Sequence, residues 1–325
     1  DELDRTREAL ARQSSMFRVD DAYGGMIGLS PAMDRVIRLL TSLEGTELPV
    51  LVYGESGTGK ELAARAVHSY SKRAAGPFLA VNCGAMPDSL LAAELFGYRK
   101  GAFTGAAQDR RGLFELASGG TLFLDEVVSM SPDMQKSLLR VLERGEVLPL
   151  GSEKARLVDV RVITAANRDV REMAKEGTFR EDLYYRLAVV TVVLPPLRDR
   201  REDIPHLIQH FLKKYPNPNG VRLLPSAADR LQSFSWPGNI RQLENEIRRA
   251  LALGKGDLDA SFFSHLEQDG IVREATAPPA LRLEELEKWA IERALQLSDG
   301  QKVKAASILG IPRRTLYEKL KKYGI

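Results

Sequence analysis

Directly after the apolar stretch Val50–Tyr53 comes the run Gly54-Glu55-Ser56-Gly57-Thr58-Gly59-Lys60. Glycines at this density let the backbone wrap closely, so that its N–H groups converge on one point. A helical pattern starts near Lys60 and adds its positive end there. Strand, glycine loop and helix in that order form a cradle for phosphate, with the Lys60 ammonium reaching the β- and γ-oxygens. The next residue is Glu61, where the P-loop pattern has Ser or Thr to hold magnesium.

Such a cradle needs a sheet behind it. From Met26 to about Leu194, short β-branched apolar runs alternate with helical patterns. The spacing predicts strands over Val50–Tyr53, Phe78–Asn82, Thr121–Leu124, Val158–Ala165 and Val189–Leu194. It predicts helices over Lys60–Tyr70, Ser89–Leu95, Pro132–Glu143 and Arg180–Leu187. Ser131 is placed to cap the third of these, and Pro132 suits its first turn. Near-continuous apolar strands between helices imply an α/β fold with a mainly parallel sheet covered on both faces.

The run Thr121–Leu124 ends in Asp125-Glu126. Carboxyl ends of parallel strands open onto the ligand crevice. Asp125 is expected to hold magnesium there, directly or through water, with Glu126 beside it. Glu126 is expected to orient and deprotonate an attacking water, which hydrolysis requires beyond binding.

The 325 residues have room for two or three domains of roughly 100–200 residues each. An apolar fraction of 44% and a charged fraction of 28% imply a folded core rather than disorder. No apolar run reaches the ~20 residues that span a bilayer, and the longest candidate, Leu187 to Leu197, is broken by Pro195 and Pro196. No charged-then-apolar leader opens the chain, and it begins at Asp1 rather than Met. The single cysteine, Cys83, excludes an internal disulfide and fits a reducing cytoplasm.

Residues 1–22 read as a charged linker, residues 23–198 as the α/β unit and residues 199–267 as helical throughout. Asn239 and Gln242 look like a variant capping box. Residues 268–280, with Pro278-Pro279, read as a second linker, and residues 281–325 as a small helical unit. Ala305 and Ala306 permit close helix crossing, Gly310 suits a tight turn, and Pro312 suits a helix start. From Gly300 onward seven basic residues face one acid, while the whole chain is only +3. A basic helix-turn-helix of this kind points to DNA, with Arg313, Arg314, Thr315, Tyr317, Lys319 and Lys322 as the contact set.

The stretch from about Ile27 to Leu253 resembles the central domain of the sigma-54-dependent activators, an AAA+ P-loop ATPase with a helical lid. The resemblance covers GESGTGKE at 54–61, Glu94-Leu95-Phe96-Gly97, and Gly101-Ala102-Phe103-Thr104-Gly105-Ala106. That GAFTGA string is the family's signature, and it implies a surface loop engaging sigma-54. Composition alone would bury Phe103 in a hairpin. The resemblance implies that Asn82 restrains the catalytic glutamate, that Asn167 senses the γ-phosphate, and that Arg180 and Arg186 are arginine fingers. It places Arg241 of Trp236-Pro237-Gly238-Asn239-Ile240-Arg241 toward the nucleotide, and Ile27 and Leu197-Arg198 around the adenine. Val127-Val128-Ser129-Met130 departs from the usual Ile-Gly-Asp/Glu-Met. Residues 281–325 resemble the Fis-type all-α helix-turn-helix domain that ends many such activators. The resemblance implies ATP and Mg2+, a bacterial regulator under two-component or ligand control, and a cytoplasmic protein with no membrane part. Its implied partners are sigma-54 RNA polymerase, double-stranded enhancer DNA, and further copies of itself, as a dimer and as a hexamer or heptamer ring.

Overall fold

The computed structural model describes residues 25–266, 283–298 and 301–323. The linkers read over 1–22 and 268–280 lie outside the described residues. The chain divides into one unit ending at Phe263 and a second beginning at Ser264.

The first unit is built on five parallel strands: β1 Val50–Tyr53, β2 Phe78–Asn82, β3 Thr121–Asp125, β4 Arg161–Ala166 and β5 Val190–Val193, in the order β2-β3-β4-β1-β5. Side chains alternate across a strand, and both faces are buried. Leu51, Val81, Leu122, Leu124 and Val162 pack on one side with Leu91, Leu95, Leu138 and Leu183 from the helices Asp88–Phe96, Pro132–Arg144 and Glu181–Leu187. Val50, Val52, Phe123, Ile163 and Val192 pack on the other with Met33, Leu40, Ala63 and Val67 from Pro31–Ser42 and Lys60–Ser69. Each fully buried Leu, Val or Phe contributes about 1.5–3 kcal/mol.

The predicted strands β1 and β2 match to the residue. The expected strand from Val158 starts only at Arg161, because Arg156–Leu157 pairs with Glu146–Val147 in a small hairpin and the Val158 N–H goes to the Gly145 carbonyl. Ser131 does cap Pro132–Arg144, accepting from the Met134 N–H. The helix Pro31–Ser42 lies outside the predicted set. Ser30 caps it, and the buried Asp203 holds Ser30 by its N–H and its hydroxyl at 2.8 Å each.

Residues beyond the sheet are not helical throughout. Helices Ile204–Lys214, Pro225–Ser233 and Asn239–Leu253 are joined by short turns and by a two-residue parallel pairing of Arg222–Leu223 with Asp257–Leu258. The capping box also differs. Gln242 accepts from the Gly238 N–H at 2.9 Å, but the Asn239 side chain turns away from the helix.

The second unit has helices Leu283–Leu297, Lys302–Ile308 and Arg313–Tyr323. Ala305 and Ala306 are buried with Ile291, Ala294, Leu316 and Leu320, and Gly310 makes the turn at φ 64°. Among the described residues, no helix is long and apolar enough to cross a membrane.

Candidate functional site

The loop 54–59 joins β1 to the helix Lys60–Ser69 at the carboxyl edge of the sheet. Gly54 N–H is held by the Ala166 carbonyl at 3.1 Å, at the end of neighbouring β4. Lys60 is buried, and its Nζ donates to the carbonyls of Gly54 at 2.8 Å and Glu55 at 3.0 Å. Burial pulls the Lys60 ammonium below its ordinary value, Asp125 and Glu126 oppose this, and Arg241 adds to it. The Thr58 hydroxyl donates to the Glu55 carbonyl at 2.8 Å. The helix starts after Gly59, at φ 102°, without any side-chain cap. Its first N–H groups therefore remain as donors for an anion. Glu61 ion-pairs with Arg65 one turn on.

Register sets Asn82 beside Asp125 on the same edge. Glu126 follows with φ 54°, a left-handed conformation uncommon for a residue with a Cβ. Strain of this kind concentrates at functional positions. Its Oε2 lies over Gly84, where an added Cβ would come within 2.6 Å. Asn82 accepts the Gly84 N–H at 2.8 Å through Oδ1, so it orders the turn beneath that carboxylate. Asn167 is exposed directly after β4. Cys83 is buried, and burial pushes its thiol up to about 12, which leaves it unreactive.

Residues from the lid complete the site. Arg241 donates to Ser56 Oγ at 3.1 Å. The Ile240 N–H reaches the Gly57 carbonyl at 3.0 Å. A Cβ on Gly57 would come within 2.3 Å of the Gly238 carbonyl, so only glycine permits this approach. An apolar cavity of about 270 Å³ opens beside Gly59, lined by Ile27, Met33, Leu207, Phe211 and Ile240 among others. Ile27 lines this cavity. Arg198 does not: its guanidinium grips the Glu55 carboxylate at 2.9 and 2.6 Å, and Arg200 lines the cavity instead. Arg200 is buried and donates to the Thr58 carbonyl at 3.0 Å. Sequence reasoning missed Arg200 and the side-chain role of Asn239, because neither residue type announces a partner more than a hundred positions away.

Arg180 is exposed and ion-pairs with Asp182 at 2.6 Å, and Arg186 donates to the Leu142 carbonyl at 3.1 Å. Residues 101–106 form the tip of a hairpin whose base pairs Gly97–Tyr98 with Arg110–Arg111. Gly101 and Gly105 are left-handed at φ 83° and 103°, and Gly101 N–H bonds the Ala106 carbonyl at 2.9 Å. Phe103 is 42% exposed with its ring edge-on to Tyr98, Thr104 is exposed, Ala102 touches Gly151, and Ala106 is buried.

In the second unit Arg313, Arg314, Tyr317 and Lys322 are exposed on the last helix and Thr315 is half-buried. Arg314 pairs with Glu318. Lys319 does not join the open face. It is half-buried and ion-paired with Glu287 of the unit's first helix, which also accepts from the Tyr323 hydroxyl.

The arrangement suits a nucleoside triphosphate: an apolar cavity, an uncapped helix start with a lysine, and two carboxylates beyond. Residues 26–193 match the family described as Sigma-54 interaction domain, residues 198–274 the AAA+ ATPase lid domain, and residues 282–323 the bacterial regulatory proteins of the Fis family. The chain is 46% identical over 317 residues to the regulatory protein AtoC of Escherichia coli, covering 93% of this chain and 68% of that one. It is 43% identical over 337 residues to the DNA-binding transcriptional regulator NtrC of Azospirillum brasilense, covering 91% and 69%. Among solved structures, NtrX from Brucella abortus in complex with ATP superposes with a TM-score of 0.69 at 34% identity, covering 98% of this chain and 73% of that one. Cradle, lid and basic helical unit thus sit on one chain in the order these relatives share, and the chain belongs to the sigma-54-dependent transcriptional regulators, with an AAA+ ATPase domain, its lid and a Fis-type helix-turn-helix.

Proposed function

We propose that this chain couples ATP hydrolysis in a ring oligomer to remodelling of the sigma-54 RNA polymerase closed complex, while its last domain holds enhancer DNA. The exposed tip 101–106 carries this reading. An apolar ring and a hydroxyl stand in solvent between two left-handed glycines, on the same body as the phosphate loop. A single exposed ring is ordinary on a protein surface; the family signature around Phe103 is what supports a partner contact here.

Lys60 and the uncapped helix start bind and orient the phosphates. Magnesium supplies charge neutralisation at the phosphate oxygens when bound, and Asp125 and Glu126 are the carboxylates that would hold it. Glu126 takes the proton of the attacking water, with Asn82 ordering the turn beneath it. Asn167 stands at the strand end next to the residue that anchors Gly54. Arg180 and Arg186 lie on an outer face and reach a neighbouring subunit's triphosphate, where a permanent planar charge stabilises the transition state. Arg241 links the lid to the loop. Arg313 and Arg314 read base edges or phosphates from the exposed face of the last helix, with Thr315, Tyr317 and Lys322 beside them, and the unit works as a dimer.

Thr104→Ala tests the reading. The variant should hydrolyse ATP at the parent rate yet fail to retain sigma-54 in a pull-down and fail to activate a sigma-54 promoter. Normal activation by Thr104→Ala would remove the tip from the mechanism.

A further inference from the structure

Asn239 is the most completely held side chain where the lid meets the phosphate loop. It is fully buried, and its backbone sits at φ 52°. Trp236, three residues earlier, is also fully buried and left-handed at φ 50°, and the Asn239 N–H closes the turn onto its carbonyl at 2.8 Å. Two such residues within four positions persist only where the surroundings over-determine them.

The Asn239 amide provides that constraint. Oδ1 accepts the Leu197 N–H at 2.7 Å, just beyond β5. Nδ2 donates to Glu55 Oε2 at 3.1 Å and to the Ser56 carbonyl at 3.0 Å. Glu55 is gripped from its other side by Arg198 through both guanidinium arms. One amide thus joins the segment after the sheet, the phosphate loop and the first turn of the lid helix. The next two N–H groups, of Ile240 and Arg241, then meet the Gly57 carbonyl at 3.0 and 3.4 Å. Arg198 holds the Glu55 carboxyl below its ordinary range, and Asn239 adds to this against the opposing effect of burial. An ionised Glu55 only accepts hydrogen bonds, so position 239 must supply a donor toward it.

We propose that Asn239 is a positioning residue for nucleotide turnover, clamping the lid helix to the phosphate loop through Glu55 and thereby setting where Arg241 stands over Ser56. This rests on the reading of residues 54–60 as the phosphate loop. The clamp makes lid position and loop conformation one variable rather than two. A loop that shifts around its phosphates carries the lid with it.

ATP affinity, KM and kcat of the full chain test this. Asn239→Asp keeps the size and the acceptor for Leu197 but sets an acceptor against Glu55 and Ser56. KM should rise at least about tenfold, the worth of a lost charge-assisted hydrogen bond, with a smaller change in kcat. Adding Glu55→Gln to Asn239→Asp puts a donor opposite an acceptor again and should bring KM back toward the parent. Asn239→Gly removes the clamp and also leaves the buried Leu197 N–H unpaired, so it should raise KM together with a lowered melting temperature. A parent-like KM for Asn239→Asp, or a raised KM that Glu55→Gln leaves untouched, overturns the clamp. A Lys60→Ala chain that binds ATP as the parent does overturns the loop reading itself, and the clamp with it.

Discussion

The phosphate loop and the hairpin tip are both short and glycine-bearing, and they are held in opposite ways. The loop is tied from four directions: β4 through Ala166, its own Lys60, Arg198 with Arg200, and the lid through Asn239 and Arg241. The tip, in contrast, is closed by its own backbone, Gly101 to Ala106, and braced at its base by the Arg99–Asp109 ion pair and the Tyr98 ring. Donors that stabilise developing charge work best when fixed beforehand, because no reorganisation is needed during reaction. An element that changes position belongs to the low-stability end of a structure, with few buried apolar partners. The difference separates a loop tied to its surroundings on several sides from a tip closed mainly on itself.

The strongest test of the fixed part is Lys60→Ala, which should abolish ATP binding and turnover, measured by calorimetry and phosphate release. Retained turnover would show that the loop's other ties suffice. Glu126→Gln should cut turnover by about 100-fold or more while ATP binding survives, as expected for a general base. Equal loss of binding would move Glu126 from chemistry to structure. Stability then separates the two regions directly. Phe123→Ala, in the sheet behind the loop, should cost about 3–5 kcal/mol in chemical denaturation. Phe103→Ala, at the tip, should cost less than about 1 kcal/mol. A large cost for Phe103→Ala would make the tip part of the core. The last test lies in the second unit. Arg313→Ala should weaken specific DNA binding by about 1–3 kcal/mol if it reads a base, whereas Lys319→Ala should act chiefly on the unit's stability through Glu287.

Much of this molecule is written locally. Strands β1 and β2, the Ser131 cap, the phosphate loop and the carboxylate pair at the end of β3 are legible because each depends on residues next to one another. Hydrophobic period, turn chemistry and helix starts need no knowledge of distant chain. The helix Pro31–Ser42 was not among the predicted helices, and Asp203, far along the chain, holds the Ser30 that caps it.

What the sequence by itself determined is therefore the alternation of strand and helix, the place of the phosphate cradle, and the family to which the motifs belong. The tertiary structure alone decided that Arg198 grips Glu55 rather than lining the apolar cavity beside Gly59. It also decided that Arg200 lines that cavity, that Lys319 turns inward to Glu287, and that Asn239 faces the loop instead of capping its own helix. The physical reason is common to Arg200, Lys319 and Asn239, whereas the exposed Arg198 is drawn by the charge of Glu55. A buried or half-buried polar group goes where a partner can satisfy it, because the cost of leaving it unpaired exceeds any local preference. The Glu55 partners stand 143 and 184 positions away in the chain.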